Sequence, residues 1–252
     1  MKVLIIGASS GIGRDLAREF AKRKYDIVLV ARNVQRMEAI QKELIDEFKV
    51  NVNYHSVDLT DRNACLKLYE DEKDIDILVN NAGLGDFGRF TQTSLEKEYD
   101  IIDTDIVALH ILTKVYLKAM KEKDSGIILN VASIAGFLPG PLMATYYASK
   151  NYVVRLTEAI REELRRDKSK VKVSLLCPGP VKTNFNNVAN VKFELHSLSS
   201  EYVARYTVEK LLKGKFYILP GFTIKCVKFF SKIVPTKILA MFCYNTQKRK
   251  EG

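Results

Sequence analysis

The sequence predicts an α/β fold: a single domain built on a doubly wound parallel sheet of about seven strands, with helices on both faces and a C-terminal helical extension. Three observations predict it. Short, nearly continuous apolar runs alternate with longer amphipathic stretches along the chain, as strands buried on both faces and helices covering them require. A glycine cluster separates the first apolar run from the first amphipathic stretch. The composition of the 252 residues is 47% hydrophobic and 28% charged, with 13 Gly and 6 Pro. That is ordinary globular usage, and it excludes collagen-like, low-complexity and mostly disordered readings.

The apolar runs Val3–Ile6, Ile27–Val30, Val52–Ser56, Ile77–Asn80, Ile127–Val131, Val173–Leu176 and Phe216–Ile218 are read as strands. Between them, Ile12–Lys24, Asn33–Phe48, Arg62–Lys73, Leu95–Lys123, Tyr146–Asp167 and Ser200–Leu212 have helical spacing and charged outer faces. This alternation means βαβ units and parallel pairing. No Pro/Gly/Ser-rich linker and no repeat divides the chain, so residues 1–221 are expected to form one domain and residues 222–252 a basic amphipathic tail.

The net charge is +10, unevenly spread. Residues 201–252 hold 11 basic and 3 acidic side chains, net +8, which leaves +2 for residues 1–200. A basic tail points to a local surface contact rather than to nucleic acid. Cys65, Cys177, Cys226 and Cys243 form no CxxC pair, so neither a zinc site nor a disulfide scaffold is expected, and reduced thiols fit a cytoplasmic protein. The four-residue run before Gly7 is too short for a secretory signal, and no stretch of about 18 apolar residues predicts a membrane span.

Gly7-Ala8-Ser9-Ser10-Gly11-Ile12-Gly13 joins the first strand to the first helix. A dinucleotide site needs this turn to bend tightly, to let the backbone approach a pyrophosphate, and to present helix N–H groups to it. Glycine suits all three tasks. A merely flexible turn is the alternative, and the strand–glycine–helix context argues against it. At the end of the second strand, Ala31-Arg32-Asn33 stands where an NAD site carries a carboxylate for the ribose 2′-OH. Arg32 would instead pair with a 2′-phosphate, which favours NADP(H), unless it is simply a solvated loop arginine.

The chain resembles the short-chain dehydrogenase/reductase family over about residues 1–220, its motifs falling in family order. The glycine turn matches the cofactor loop, Asp58 followed by Leu59 matches the adenine contact, and Asn80-Asn81-Ala82-Gly83 matches the signature after the fourth strand. Ser133 ends the fifth strand, and Tyr146-Tyr147-Ala148-Ser149-Lys150 is the Y-x-x-x-K signature. Pro178-Gly179-Pro180-Val181 with Thr183 matches the nicotinamide segment. The resemblance implies a Rossmann-like fold, a nicotinamide cofactor held by these residues, and catalysis by Ser133, Tyr146 and Lys150. It also implies a homodimer or homotetramer. The roles it implies are general acid/base for Tyr146, phenol tuning and ribose binding for Lys150, and substrate orientation for Ser133.

The chemistry is consistent with those roles. Hydride transfer to a carbonyl leaves an oxyanion that needs a proton, and an ordinary phenol, with a pKa of about 10, gives or takes one poorly at neutral pH. An adjacent ammonium favours the phenolate. Tyr146 and Lys150 are i and i+4 and share a helix face, whereas Tyr147 points about a quarter-turn away. One departure is visible. Where the family carries an asparagine that links the lysine to a water relay, this chain has Asp105. An ionised aspartate accepts but does not donate hydrogen bonds, so it either holds the relay water and supports the Lys150 charge or impairs proton flow.

Candidate substrate-pocket residues are Leu84, Phe87, Ile134, Phe137, Leu138, Pro139, Met143, Phe185 and Val188, against the alternative that many of them pack the core. They are mostly apolar and include no arginine clamp for a carboxylate, so an apolar carbonyl or alcohol is the expected substrate. His55, His110 and His196 have no metal-ligand spacing.

In the tail, Ile224, Val227, Phe229, Phe230, Ile233 and Val234 form an apolar stripe flanked by Lys225, Lys228 and Lys232, and a second short helix follows Pro235. Such a tail either packs over the pocket or a second subunit, or lies on a membrane surface. The expected function is that of an NADP(H)-dependent oxidoreductase on an apolar carbonyl/alcohol pair. The rivals are a cofactor-binding scaffold with weak or no catalysis, and a peripheral membrane protein acting through its tail.

Overall fold

In β1 (Lys2–Ile6) successive side chains serve opposite layers. Val3 and Ile5 join one buried cluster, and Leu4 and Ile6 join another. The same alternation continues in β2 (Asp26–Ala31), where Ile27 and Leu29 face one way and Val28 and Val30 the other. A strand that is apolar on both faces needs helices on both sides, and the computed structural model has them. It describes residues 1–183, 189 and 197–248.

Helices α1 (Gly11–Ala21) and α2 (Val34–Phe48) bring Leu16, Phe20, Met37 and Leu44 to the first layer. A third, α7 (Ser200–Leu212), adds Val203, Val208 and Leu211. The second layer is formed by α3 (Arg62–Asp71), α5 (Leu109–Glu122) and α6 (Ala144–Arg166), with Leu68, Leu112, Tyr116, Val153 and Leu164 inside. Side chains cap α2, α3 and α7. Asn33 accepts from Arg36 N at 2.9 Å, Asp61 from Asn63 N at 2.8 Å, and Ser199 from Tyr202 N at 3.2 Å. Ser10 makes no such bond at the start of α1.

The remaining strands of the main sheet are β3 (Val52–Ser56), β4 (Ile77–Asn80), β5 (Ile127–Val131), β6 (Lys172–Leu176) and β9 (Tyr217–Ile218). All seven strands pair in parallel in the order β3-β2-β1-β4-β5-β6-β9. The order in which strands are added therefore reverses between β1 and β4, where a doubly wound sheet opens its crevice at the strand C-termini. Short β7 (Val181–Lys182) and β8 (Leu198–Ser199) pair separately, beside that end.

The seven strands and six helical stretches expected from the sequence are all present. One differs in detail: the stretch over 95–123 is not a single α-helix. A π-helical turn, Asp103–Ala108, separates α4 (Leu95–Ile102) from α5. Widened turns of this kind recur at functional sites, and this one holds the buried Asp105.

A buried polar ladder ties the sheet to its helices. The Asn80 amide donates to Thr113 Oγ1 at 3.0 Å and to Asn130 Oδ1 at 2.9 Å, and the Asn130 amide donates to Thr157 Oγ1 at 3.0 Å. Low local polarity strengthens such bonds and makes each broken one costly. Asn130→Ala would remove a buried hydrogen bond from each of its two neighbours, Asn80 and Thr157. Thermal or denaturant unfolding is expected to show a loss of about 2–3 kcal/mol.

Candidate active site

The site lies at the C-terminal ends of β1, β4, β5 and β6. The turn after β1 is tight because its glycines have no alternative. Gly7 has φ +80° and Gly11 φ +54°, and a Cβ on Gly7 would lie 2.7 Å from Ala82 Cα. A Cβ on Gly13 would meet Gly7 O at 2.2 Å and Asn81 Nδ2 at 2.5 Å. Asn81 itself donates to Gly7 O at 3.0 Å, so the segment after β4 fastens the glycine turn. Thr183 Cγ2 lies where a Gly11 Cβ would come within 2.9 Å, closing the same turn from the β7 side. Ser9 is half-buried and Ser10 is exposed.

Arg32 is exposed at the end of β2. Hydrogen bonds from Thr60 hold the Asp58 carboxyl below the usual range, and the Arg32 charge adds to the effect. Leu59 packs against the core beside them. Val181 is buried in β7, and Pro178 O accepts from Ile134 N at 2.8 Å, which couples the segment after β6 to the Ser133 loop.

Ser133 follows β5 and caps a short 3-10 turn, Ile134–Phe137, its hydroxyl accepting from Ala135 N at 3.2 Å. Asn151 pins this turn to α6. Its amide lies 3.1 Å from Ala135 O, 3.1 Å from Leu138 O and 2.9 Å from Tyr147 O. Ser133 is thereby held against Tyr146, to whose phenol it hydrogen-bonds. One turn further along α6, Lys150 Nζ lies 5.7 Å from the Tyr146 ring centroid. Gly83 leaves it room, because a Cβ there would come within 2.8 Å of Nζ.

Asp105 meets Lys150 directly. Its Oδ2 lies 2.9 Å from Lys150 Nζ and accepts from the Ser149 hydroxyl at 3.0 Å, and its Oδ1 accepts from Leu84 N at 2.8 Å. Lys150 is 4% exposed and Asp105 0%. A carboxylate this well partnered offsets the cost of burying the ammonium. The sequence-based expectation of a lowered phenol is corrected here: the Tyr146 pKa is raised. Burial is the largest cause, the Ser133 hydrogen bond opposes it, and the negative charge of Asp105 raises it further.

Tyr147 serves as a wall of the site. Its ring lies where a Gly140 Cβ would clash at 1.9 Å, and its centroid is 6.0 Å from that of Tyr146. With Met143, Ala189 and Phe87 the two tyrosines form a small apolar cluster. Phe137 points elsewhere: it packs on the core and against Tyr217, so it does not line the pocket. Leu84, Ile134, Leu138 and Pro139 are half-buried nearby. Phe185, Val188 and His196 lie outside the described residues. His110 hydrogen-bonds Tyr152 on the exposed face, and His55 pairs with Glu72, so neither joins the site.

The tail closes one side. In α8 (Phe222–Phe230) Ile224 covers Gly179, and in α9 (Thr236–Lys248) the Gln247 amide donates to the Tyr147 hydroxyl at 2.7 Å. Gln247, Asn151 and Ser149 are site-building residues to which the sequence reading gave no role. The only available signal for Asn151 was a poor helix former inside an otherwise favourable helix.

The family model for short chain dehydrogenases matches residues 1–192. The chain belongs to that family. It is therefore an oxidoreductase-family protein, and its fold matches that of the family's solved members. One of these is a short-chain dehydrogenase from Sphingobium yanoikuyae in complex with NADPH. It is 27% identical with TM-score 0.83, covering 93% of this chain and 96% of that one. A Burkholderia phymatum family member in complex with NAD is 26% identical with TM-score 0.82, covering 90% and 91%. Among curated relatives, a very-long-chain 3-oxoacyl-CoA reductase of Laccaria bicolor is 32% identical over 170 residues, 65% of this chain and 50% of that protein. An inactive hydroxysteroid dehydrogenase-like protein 1 of Pongo abelii is 35% identical over 167 residues, 64% and 50%. The chain spans about half the length of these two curated relatives.

The Asp105 contact makes a specific pH prediction for this family member. Asp105→Asn removes the negative charge that helps raise the phenol, so the Tyr146 pKa falls. In the reduction direction, which needs the protonated phenol, the alkaline limb of the rate profile is expected to move to lower pH. An ultraviolet difference titration of the phenol should move in the same direction.

Proposed function

We propose that the protein is an NADP(H)-dependent oxidoreductase that interconverts an apolar carbonyl compound and its alcohol. The contact among Ser133, Tyr146 and Lys150 carries this reading: a phenol hydrogen-bonded to a serine hydroxyl, with an ammonium 5.7 Å from its ring.

The residues present fit a dinucleotide. Gly7, Gly11 and Gly13 bring no Cβ to the turn where a pyrophosphate would approach, and Ser10 makes no side-chain cap bond at the α1 N-terminus. Arg32, exposed at the end of β2 with no carboxylate in its place, favours a 2′-phosphate. The NADPH bound in the Sphingobium relative supports the choice, while the NAD bound in the Burkholderia relative makes Arg32 the residue to test. Lys150 would hold the nicotinamide ribose.

The bound nicotinamide would supply or accept the hydride. Ser133 orients the carbonyl oxygen by hydrogen bonding. Tyr146 gives its proton to that oxygen in reduction and takes it back in oxidation, so carbonyl, hydride and proton together make the alcohol. Asp105, itself held by Ser149, keeps Lys150 in place. Met143, Phe87 and Tyr147 exclude water from the reacting carbon and favour an apolar substrate. The Laccaria relative, named for an acyl-chain carbonyl, is in keeping with that class. In the oligomer proposed for this chain, two or four copies assemble.

Tyr146→Phe removes the proton donor and keeps the ring. Steady-state kinetics with NADPH and an apolar ketone should show turnover falling about 10²- to 10⁴-fold while NADPH binding persists. Unchanged turnover would favour another acid, and no turnover in either protein would favour a cofactor-binding scaffold. Arg32→Glu should weaken NADPH about ten- to hundredfold, with little change for NADH, in a nicotinamide fluorescence titration. A chain that prefers NADH before the change would overturn the assignment of NADP(H).

A further inference from the structure

The tail buries one edge of each helix and exposes another. On α8, Ile224 is buried over Gly179, and Lys228 lies over the Tyr217 ring at 2.8 Å from its centroid. On α9, Cys243 and Gln247 are buried toward Tyr147. These contacts pack the tail beside the site. They do not use the rest of its apolar surface. Phe222 is 78% exposed, Phe242 67% and Phe229 61%, and Phe230, Ile233, Ile238 and Met241 are also exposed. Phe222 and Phe229 are two turns apart on α8, and Ile238, Met241 and Phe242 follow i, i+3, i+4 spacing on α9. A concentration of large apolar side chains at the surface marks a contact site.

The charge pattern selects the occupant. Residues 222–248 hold Lys225, Lys228, Lys232, Lys237 and Lys248, and no Asp or Glu. All but Lys228 are exposed. A second copy of the tail would bring this charge against itself. A flat anionic surface would accept the phenylalanines below its headgroups and pair with the lysines at headgroup level. No helix among the described residues is long and apolar enough to cross a membrane, so insertion would be shallow.

We propose that α8 and α9 form a docking surface for an anionic lipid bilayer, which seats the apolar wall of the site, Tyr147 included, next to the membrane. The proposal stands independently of the cofactor and of the reaction assigned above.

The test is co-sedimentation of the full chain with vesicles of phosphatidylcholine alone and of equal parts phosphatidylcholine and phosphatidylglycerol. Binding is expected on the mixed vesicles only, weakening as salt rises. Phe229→Ser with Phe242→Ser should lower that partition about tenfold or more. Lys225→Gln with Lys232→Gln, a pair of exposed changes that leaves the apolar surface intact, should lower it about fivefold per lysine. NADPH binding and turnover of a water-soluble ketone should be unchanged in both. Failure of the unaltered chain to sediment with the mixed vesicles would overturn the proposal. So would equal binding by all three proteins, or dissociation of an oligomer by the phenylalanine changes with no vesicle binding, which would assign the surface to a second copy.

Discussion

Lys150 brings its ammonium to a position almost sealed from water, and the cost of that placement shapes its surroundings. The carboxylate of Asp105 offsets it at 2.9 Å, and is held in turn by the Leu84 N–H and the Ser149 hydroxyl. The groups come from three elements: Leu84 from the segment after β4, Asp105 from the π turn between α4 and α5, and Ser149 with Lys150 from α6. The ion pair is thus a tie between the sheet end and two helices as well as a feature of the chemistry. It also changes that chemistry, because the positive charge that would favour the phenolate is matched by a negative one, and burial then decides the direction of the Tyr146 shift.

The rest of the site is placed by the sheet. A parallel order with its reversal between β1 and β4 gathers the loops after β1, β4, β5 and β6 at one end. Close approaches fix those loops to one another, Gly7 against the Ala82 backbone and Gly11 against the Thr183 side chain, while Gly13 packs on the Gly7 carbonyl within the first turn. Below them, the ladder from Thr113 through Asn80 and Asn130 to Thr157 holds β4 and β5 to α5 and α6. Tyr146 and Lys150 therefore stand on a helix anchored to the sheet by a buried hydrogen bond at Thr157.

What was legible in the sequence was what repeats at short range. The apolar runs gave the strands, because both faces of each are buried, and the i, i+4 spacing put Tyr146 and Lys150 on one face of α6. The glycine turn was legible because backbone conformation and space leave glycine no substitute at positions 7 and 11. What escaped depends on contacts distant in sequence. The family position linked Asp105 to Lys150, but nothing near it in the chain announces a direct contact at 2.9 Å, nor that the helix widens there by a π turn. The apolar stripe read across Ile224, Val227 and Phe230 was real in composition but divided in space: Ile224 turned inward, and Phe229 and Phe230 outward. Periodicity could not assign those faces, because both are apolar. Asn151 and Gln247 look like ordinary surface polar residues until the carbonyls and the phenol they serve are in view.

The hydrogen bond from Gln247 to Tyr147 spans 100 positions of sequence and joins the last described helix to a wall of the site. Tail and body are therefore not interchangeable parts. A tail borrowed from another member of the family would have to bring an amide to the same spot, and an apolar side chain to cover Gly179, or the tyrosine would lose its donor and the segment after β6 its cover. Substitutions at 147, 179, 224 and 247 should accordingly be accepted or rejected together across descendants of this chain, so that the most distal helix carries an inherited memory of the pocket it borders.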